Sequence, residues 1–123
     1  MTTKARPIGP YAPFVRSGGF VFCSGQVPVD PSSGELVGGD ISLQTRQALE
    51  NLRAVLVSAG LGLESVLRTT VYLHSMADLA EMNAVYSTVL GELKPARSTV
   101  GGLDLPRGAL IEIDAIAAER AKA

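Results

Sequence analysis

Two stretches near the C-terminus hold the residue types best suited to chemistry. They are Pro95-Ala96-Arg97-Ser98-Thr99-Val100 and Ala109-Leu110-Ile111-Glu112-Ile113-Asp114-Ala115, and both read as strands. Arg97 and Thr99 are two residues apart, which puts them on one face of their strand. Glu112 interrupts the apolar run Leu110-Ile111 and Ile113, where a charge must be paired, exposed or put to use. One reading is a cross-strand ion pair on a solvated sheet face, an arrangement that carries little energy and usually no function. The other is an anion clamp beside an acid/base group. The two stretches alone leave both open.

The remaining candidates are scattered. Tyr11 follows Pro7 and Pro10 and precedes Pro13, so a stiff extended arm holds it. It is either a ring lying on the surface or a phenol delivered to a site. Ser24-Gly25-Gln26 ends an apolar strand, and the glycine permits close backbone approach. Ser24 has no neighbouring histidine to make it a nucleophile. Cys23, the sole cysteine, reads as a small buried hydrophobe, and it forms neither an intramolecular disulfide nor a zinc site. His74, the sole histidine, ends a strand with no second ligand at metal spacing. Asn83 lies beside the apolar stripe of a helix and could simply bond within it.

The elements that must position these groups follow from periodicity. Phe14-Val15-Arg16 and Phe20 to Ser24 flank Gly18-Gly19, a β-hairpin pattern. In the second strand Val21, Cys23 and Gly25 share one face. Val27 to Gly39 is rich in turn formers. Asp40 caps a helix to about Ala59, with Ala48, Leu49, Leu52, Val55, Leu56 and Ala59 as its stripe and Gly60 as its stop. Val66 to His74 alternates as the longest strand. Ser75 to Asp78 reads as a capping box for a second helix to about Leu90, with Leu79, Met82, Val85, Tyr86, Val89 and Leu90 as its buried stripe. The two C-terminal strands read as a closing hairpin, and residues after Ala118 as a frayed tail.

This order, hairpin, helix, strand, helix, hairpin, predicts a single α+β domain over 1–123. It has one mixed sheet with both helices on one face. Leu67, Val71, Leu73, Ile111, Ile113 and Ala115 are expected to face the helices. Arg97, Thr99, Glu112, Asp114, Arg68 and Tyr72 are expected on the open face. Composition narrows the partners. The 123 residues are 46% hydrophobic with only 5% aromatics, and the surplus of apolar residues suggests surface buried against another copy of the chain. A net charge of −1 with no basic run argues against nucleic acid. No stretch approaches a membrane span. The N-terminus does not read as a signal peptide, so a cytoplasmic location is expected.

Six short stretches in order resemble the RidA/YjgF family of reactive-intermediate (imine) deaminases. They are Ile8-Gly9-Pro10-Tyr11, Ser24 to Pro31, Gln47 to Leu52, Thr69 to Leu73, Pro95 to Ser98, and Ile111 to Ala117. The resemblance implies a chorismate-mutase-like fold and a homotrimer with three sites in the clefts between subunits. It implies hydrolysis of small 2-imino acids, or their enamine tautomers, to 2-oxo acids and ammonia without a cofactor or metal. Carried onto this chain, Arg97 binds the substrate carboxylate, Glu112 positions and activates the water, and Tyr11 closes the pocket. Ser24, Gly25 and the backbone near Thr99 line that pocket, and Asn83 matches a helix position near it. A non-catalytic ligand-binding or protein-protecting trimer of the same fold is the alternative. Two departures from the family stand out. Thr99 stands where many deaminases have Cys; this is harmless if that position serves through its backbone amide and alters activity or inhibition if a thiol matters. Lys94 replaces a common aromatic before Pro95, in a Tyr86–Pro95 segment shorter than usual, which changes the pocket rim and bears on substrate range.

Overall fold

The computed structural model describes residues 9–119. The start of the proline arm, residues 1–8 with Ile8 of the first matching stretch, and residues 120–123 lie outside them. The described chain folds into five strands and two helices. Strands β1 (Phe14–Ser17) and β2 (Phe20–Gln26) pair antiparallel around Gly18-Gly19. Both glycines have positive φ, 59° and 82°, as a two-residue hairpin turn of this hand requires.

Helix α1 (Ile41–Ser58) starts where expected: the Asp40 side chain accepts a hydrogen bond from the Leu43 N–H at 3.0 Å. Its stripe of Ala48, Leu49, Leu52, Val55, Leu56 and Ala59 is buried. Each large aliphatic side chain removed from water there contributes about 1.5–3 kcal/mol. Strand β3 (Val66–Leu73) follows, then α2 (Leu79–Leu90), β4 (Ala96–Val100) and β5 (Ile111–Ala118). Ser75 caps a short 3-10 turn at Met76–Asp78 that leads into α2, accepting from the Ala77 N–H. Asp78 makes no side-chain cap bond, so the capping box is half formed.

The sheet order is β1-β2-β5-β3-β4, with β3 and β4 parallel and the other pairs antiparallel. This is a mixed sheet, and both helices pack on one face of it. The expected closing hairpin does not form. After β4, β5 inserts between β2 and β3, and α2 becomes the crossover of a β-α-β unit. The reason lies in the strands themselves. Ile111, Ile113, Ala115 and Ala117 are all buried on one side of β5, which suits a central strand. The five-residue β4 follows a proline and carries Arg97, which suits an edge.

Two bulges reset the side-chain alternation. One, between Val66 and Arg68, turns Val66 toward the core and leaves Leu67 48% exposed, where simple alternation put it under the helices. The other, between Cys23 and Gln26, brings Gln26 inside. Buried amides then tie the long loop to α1. Asn51 donates to the carbonyls of Val27 and Val29, while Gln44 donates to Val37 and accepts from the Leu110 N–H. Of the expected frayed tail only Glu119 lies within the described residues. Glu119 pairs with Arg16, and its N–H donates to the Gly19 carbonyl.

Candidate functional site

Strand register decides which side each functional group takes. In the β3–β4 pair Thr69 lies opposite Arg97 and Val71 opposite Thr99. Thr69 and Val71 are buried on the helix side, so Arg97 and Thr99 share that side. In the β3–β5 pair Tyr72 lies opposite Glu112 and Thr70 opposite Asp114, all on the open side. The expectation that Arg97, Thr99 and Glu112 share one face is therefore wrong. The parallel pairing of β4 and the bulge in β3 fix the phase of β4, and neither is visible as alternation within its five residues. Asp114, Arg68 and Tyr72 do lie on the open face as expected.

Two half-sites result. The first sits where α2 meets β4, in a cleft of about 170 Å³ lined by Tyr86, Leu90, Leu93, Lys94, Pro95 and Arg97, among others. The Arg97 guanidinium lies over the Tyr86 ring, 4.8 Å from its centroid, a cation–π contact. The Tyr86 hydroxyl is in turn 2.7 Å from Thr69 Oγ1. Arg97 is half-buried and has no ion pair among the described residues. A positioned, partly desolvated guanidinium without a carboxylate partner is a ready site for a small carboxylate. Asn83 lies one turn before Tyr86 on α2, and its buried Oδ1 has no hydrogen-bond partner among the described residues.

The second half-site is on the open face at β2 and β5. Gly25 lies beneath Glu112, and a Cβ at position 25 would sit 2.9 Å from Glu112 Cδ and closer still to a carboxylate oxygen. Glycine here is a matter of space. Burial first, and the Asp114 charge second, raise the Glu112 carboxyl above the ordinary range. The Ser24 hydroxyl donates to the Ala12 carbonyl at 2.6 Å, and the Ser24 N–H donates to Pro13. Ser24 thereby pins the arm that carries Tyr11, whose ring is 45% exposed. This is a positioning role that sequence reasoning missed.

Within one chain β3 separates the two half-sites, and they open on opposite faces. Two strand spacings alone put β4 and β5 about 10 Å apart. Cys23 belongs to neither. Burial first, then Asp114, pushes its thiol up to about 11, so it is protonated and unreactive at neutral pH. His74 Nδ1 is 2.9 Å from the Leu103 carbonyl, and the described residues contain no group of three or more metal-ligating side chains. Sequence reading also gave no role to the Tyr86 contact with Arg97 or to the bond between Tyr72 and Asp114. Tyr86 was assigned only to the core stripe, and cross-strand bonds need the register.

Comparison with known proteins is consistent with this frame. A family model described as Endoribonuclease L-PSP matches residues 1–119. The chain belongs to that family, which is also called RidA/YjgF. A RutC family protein of Pyrococcus horikoshii is 53% identical over 112 residues, covering 91% of this chain and 89% of the relative. The 2-iminobutanoate/2-iminopropanoate deaminase of Mus musculus is 43% identical over 119 residues, covering 96% and 88%. The crystal structure of the YjgF gene product of E. coli superposes with a TM-score of 0.90 at 39% identity, covering 96% and 94%. E. coli TdcF, solved with bound serine, matches with the same TM-score, identity and coverage. No described helix is long and apolar enough to cross a membrane.

Proposed function

We propose that this protein hydrolyses small 2-imino acids, or their enamine tautomers, to 2-oxo acids and ammonia. The observation that carries the reading is Arg97: a half-buried guanidinium set against Tyr86, with no carboxylate partner among the described residues. The named deaminase at 43% identity supports the choice of substrate.

In this reading Arg97 holds the substrate carboxylate bidentately and fixes the imine carbon, which is already electrophilic and needs no covalent catalyst. Glu112 accepts a proton from water as the water oxygen adds to that carbon. With the imine nitrogen protonated at the start, Glu112 passes the proton taken from water to the nitrogen of the adduct; as the carbon–nitrogen bond breaks and ammonia leaves, the new hydroxyl gives its remaining proton to the Glu112 carboxylate and becomes the carbonyl of the 2-oxo acid. Tyr11 closes the pocket, and Ser24, Gly25, Asn83 and the Thr99 backbone line it. Because Arg97 and Glu112 of one chain face opposite sides of its sheet, the working site pairs Arg97 of one subunit with Glu112 of the next. Three such clefts close a homotrimer. The exposed Val15, Phe20, Phe22 and Val100 side chains supply apolar surface for that assembly. The reaction needs no metal or cofactor. A net charge of −1 and the lack of a basic run disfavour RNA cleavage as the main activity.

The test is release of ammonia or 2-oxo acid from freshly generated 2-iminopropanoate and 2-iminobutanoate, at a concentration where the solution mass is known. Acceleration by wild type that Arg97→Ala removes while the mass is unchanged is the expected result. Saturable binding of a 2-oxo acid with no acceleration would replace this reading with the ligand-binding one.

A further inference from the structure

The open face holds a second carboxylate that the reaction above does not use. Glu112 and Asp114 alternate on the same side of β5, and Tyr72 of β3 lies opposite Glu112 in register. The Tyr72 hydroxyl does not turn to Glu112. It reaches diagonally and donates to Asp114 Oδ2 at 3.0 Å. This bond holds the Asp114 carboxylate in one place on the open face, two residues from Glu112.

The other groups facing Glu112 are few. From β3 come Thr70 and Arg68 as well as Tyr72, and the Arg68 guanidinium is turned to Ser98 Oγ of β4 at 2.6 Å. From β2 comes Gly25, while the Cys23 thiol points into the core. Both helices pack on the opposite face. No cation forms an ion pair with Glu112 or Asp114 among the described residues. Among the described residues, the charge that acts on Glu112 is the carboxylate two residues along its own strand.

We propose that Tyr72 and Asp114 are positioning residues for Glu112: the tyrosine hydroxyl locks the Asp114 carboxylate beside it, and that fixed charge makes Glu112 a stronger proton acceptor toward the substrate water. This rests on the deaminase reading for its consequence in turnover, although the coupling itself is a property of the folded chain. Burial and Asp114 together already hold Glu112 above the usual carboxylate range, and Tyr72 is raised in turn by burial and by its bond to Asp114.

The experiment has two readouts on the intact assembly. The first follows the Glu112 side-chain carboxyl carbon by NMR across pH in wild type, Asp114→Asn, Asp114→Glu and Tyr72→Phe. The second follows kcat and KM for 2-iminopropanoate across the same range. In Asp114→Asn the Glu112 titration and the acidic limb of the kcat profile both move to lower pH. At the pH where wild type keeps half its plateau rate, the variant keeps clearly more than half. Asp114→Glu restores the wild-type limb, and Tyr72→Phe gives a smaller move in the same direction. KM stays within about two-fold throughout, because no substrate contact is removed.

A Glu112 titration that is identical in wild type and Asp114→Asn, in proteins of equal mass and stability, overturns the proposal. So does a titration that moves while the kcat limb does not. If wild type turns over no imine, the deaminase reading fails, and the NMR titration still decides whether Asp114 and Glu112 are coupled.

Discussion

The two faces of strand β5 differ in a way that explains the rest of the molecule. Ile111, Ile113, Ala115 and Ala117 are sealed under the helices, with no polar group among them. Glu112, Asp114 and Ile116, on the other face, stay half-exposed. The covered side is complete within one chain: aliphatic packing against α1 satisfies it. The open side differs: it holds a raised carboxylate over a glycine seat, a cross-strand tyrosine bond and exposed phenylalanines. The cation that the proposed mechanism pairs with Glu112 lies across the sheet on the helix side, over Tyr86. The two charges of the proposed site thus stand on opposite faces.

The sharpest way to break this comparison is to separate the two charges on different chains. Arg97→Ala and Glu112→Gln should each lower kcat/KM by about a hundred- to a thousand-fold. Mixing the two inactive variants, unfolding and reassembling them together, should return activity to about a quarter of the sites, because one subunit supplies the arginine and its neighbour the glutamate. No recovery from mixed trimers of confirmed composition would mean that both charges act from one chain.

A smaller effect is expected at Gly25. Gly25→Ala puts a methyl where the Glu112 carboxylate lies. It should reduce kcat by about ten- to a hundred-fold with the melting temperature little changed, since the carboxylate can swing outward. On the opposite face, Tyr86→Leu keeps the apolar packing but removes the ring beneath Arg97. About ten-fold weaker binding of a 2-oxo acid, read by calorimetry, is the expected loss.

The smallest effect concerns stability. The folded state raises the Glu112 carboxyl, so the folded protein binds that proton more readily than the unfolded chain. The stabilising contribution is full below the ordinary glutamate pKa and is lost as pH rises through the raised one. At neutral pH the ionised side chain opposes folding. Glu112→Gln should therefore melt about 2 °C higher than wild type near pH 7.5, with the gap closing toward pH 4. A lower melting temperature at neutral pH would show that Glu112 makes a compensating bond in the assembly.

Much of this was legible from the residues. The stripe of α1, its Asp40 cap, the Gly18-Gly19 hairpin and the alternation of β5 are local patterns, and local patterns fix local structure. Arg97, Glu112 and Gly25 stood out as a cation, an acid and a small residue in apolar strands. What the residues could not reveal was phase and order. The bulge at Val66–Arg68 turned Leu67 outward, and the crossover through α2 made β4 a parallel edge strand. Together these put Arg97 and Thr99 on the helix side, because a shift of one residue exchanges the faces of a strand. The amides Gln44 and Asn51, set within an apolar stripe, were a readable sign of buried hydrogen bonding. The Tyr72–Asp114 bond depends on long-range register and left no such sign.

The seat beneath Glu112 also bears on how this sequence can drift. Position 25 and position 112 share one small volume on neighbouring strands, so a side chain at 25 larger than a methyl competes with residue 112 for it. A randomised library covering both positions, sorted only for folding, should return side chains larger than alanine at 25 chiefly in clones whose residue 112 has become shorter. Sorting for turnover should collapse the same library to one combination. The glycine thus records, in a position with no functional group of its own, whether selection has kept the acid opposite it.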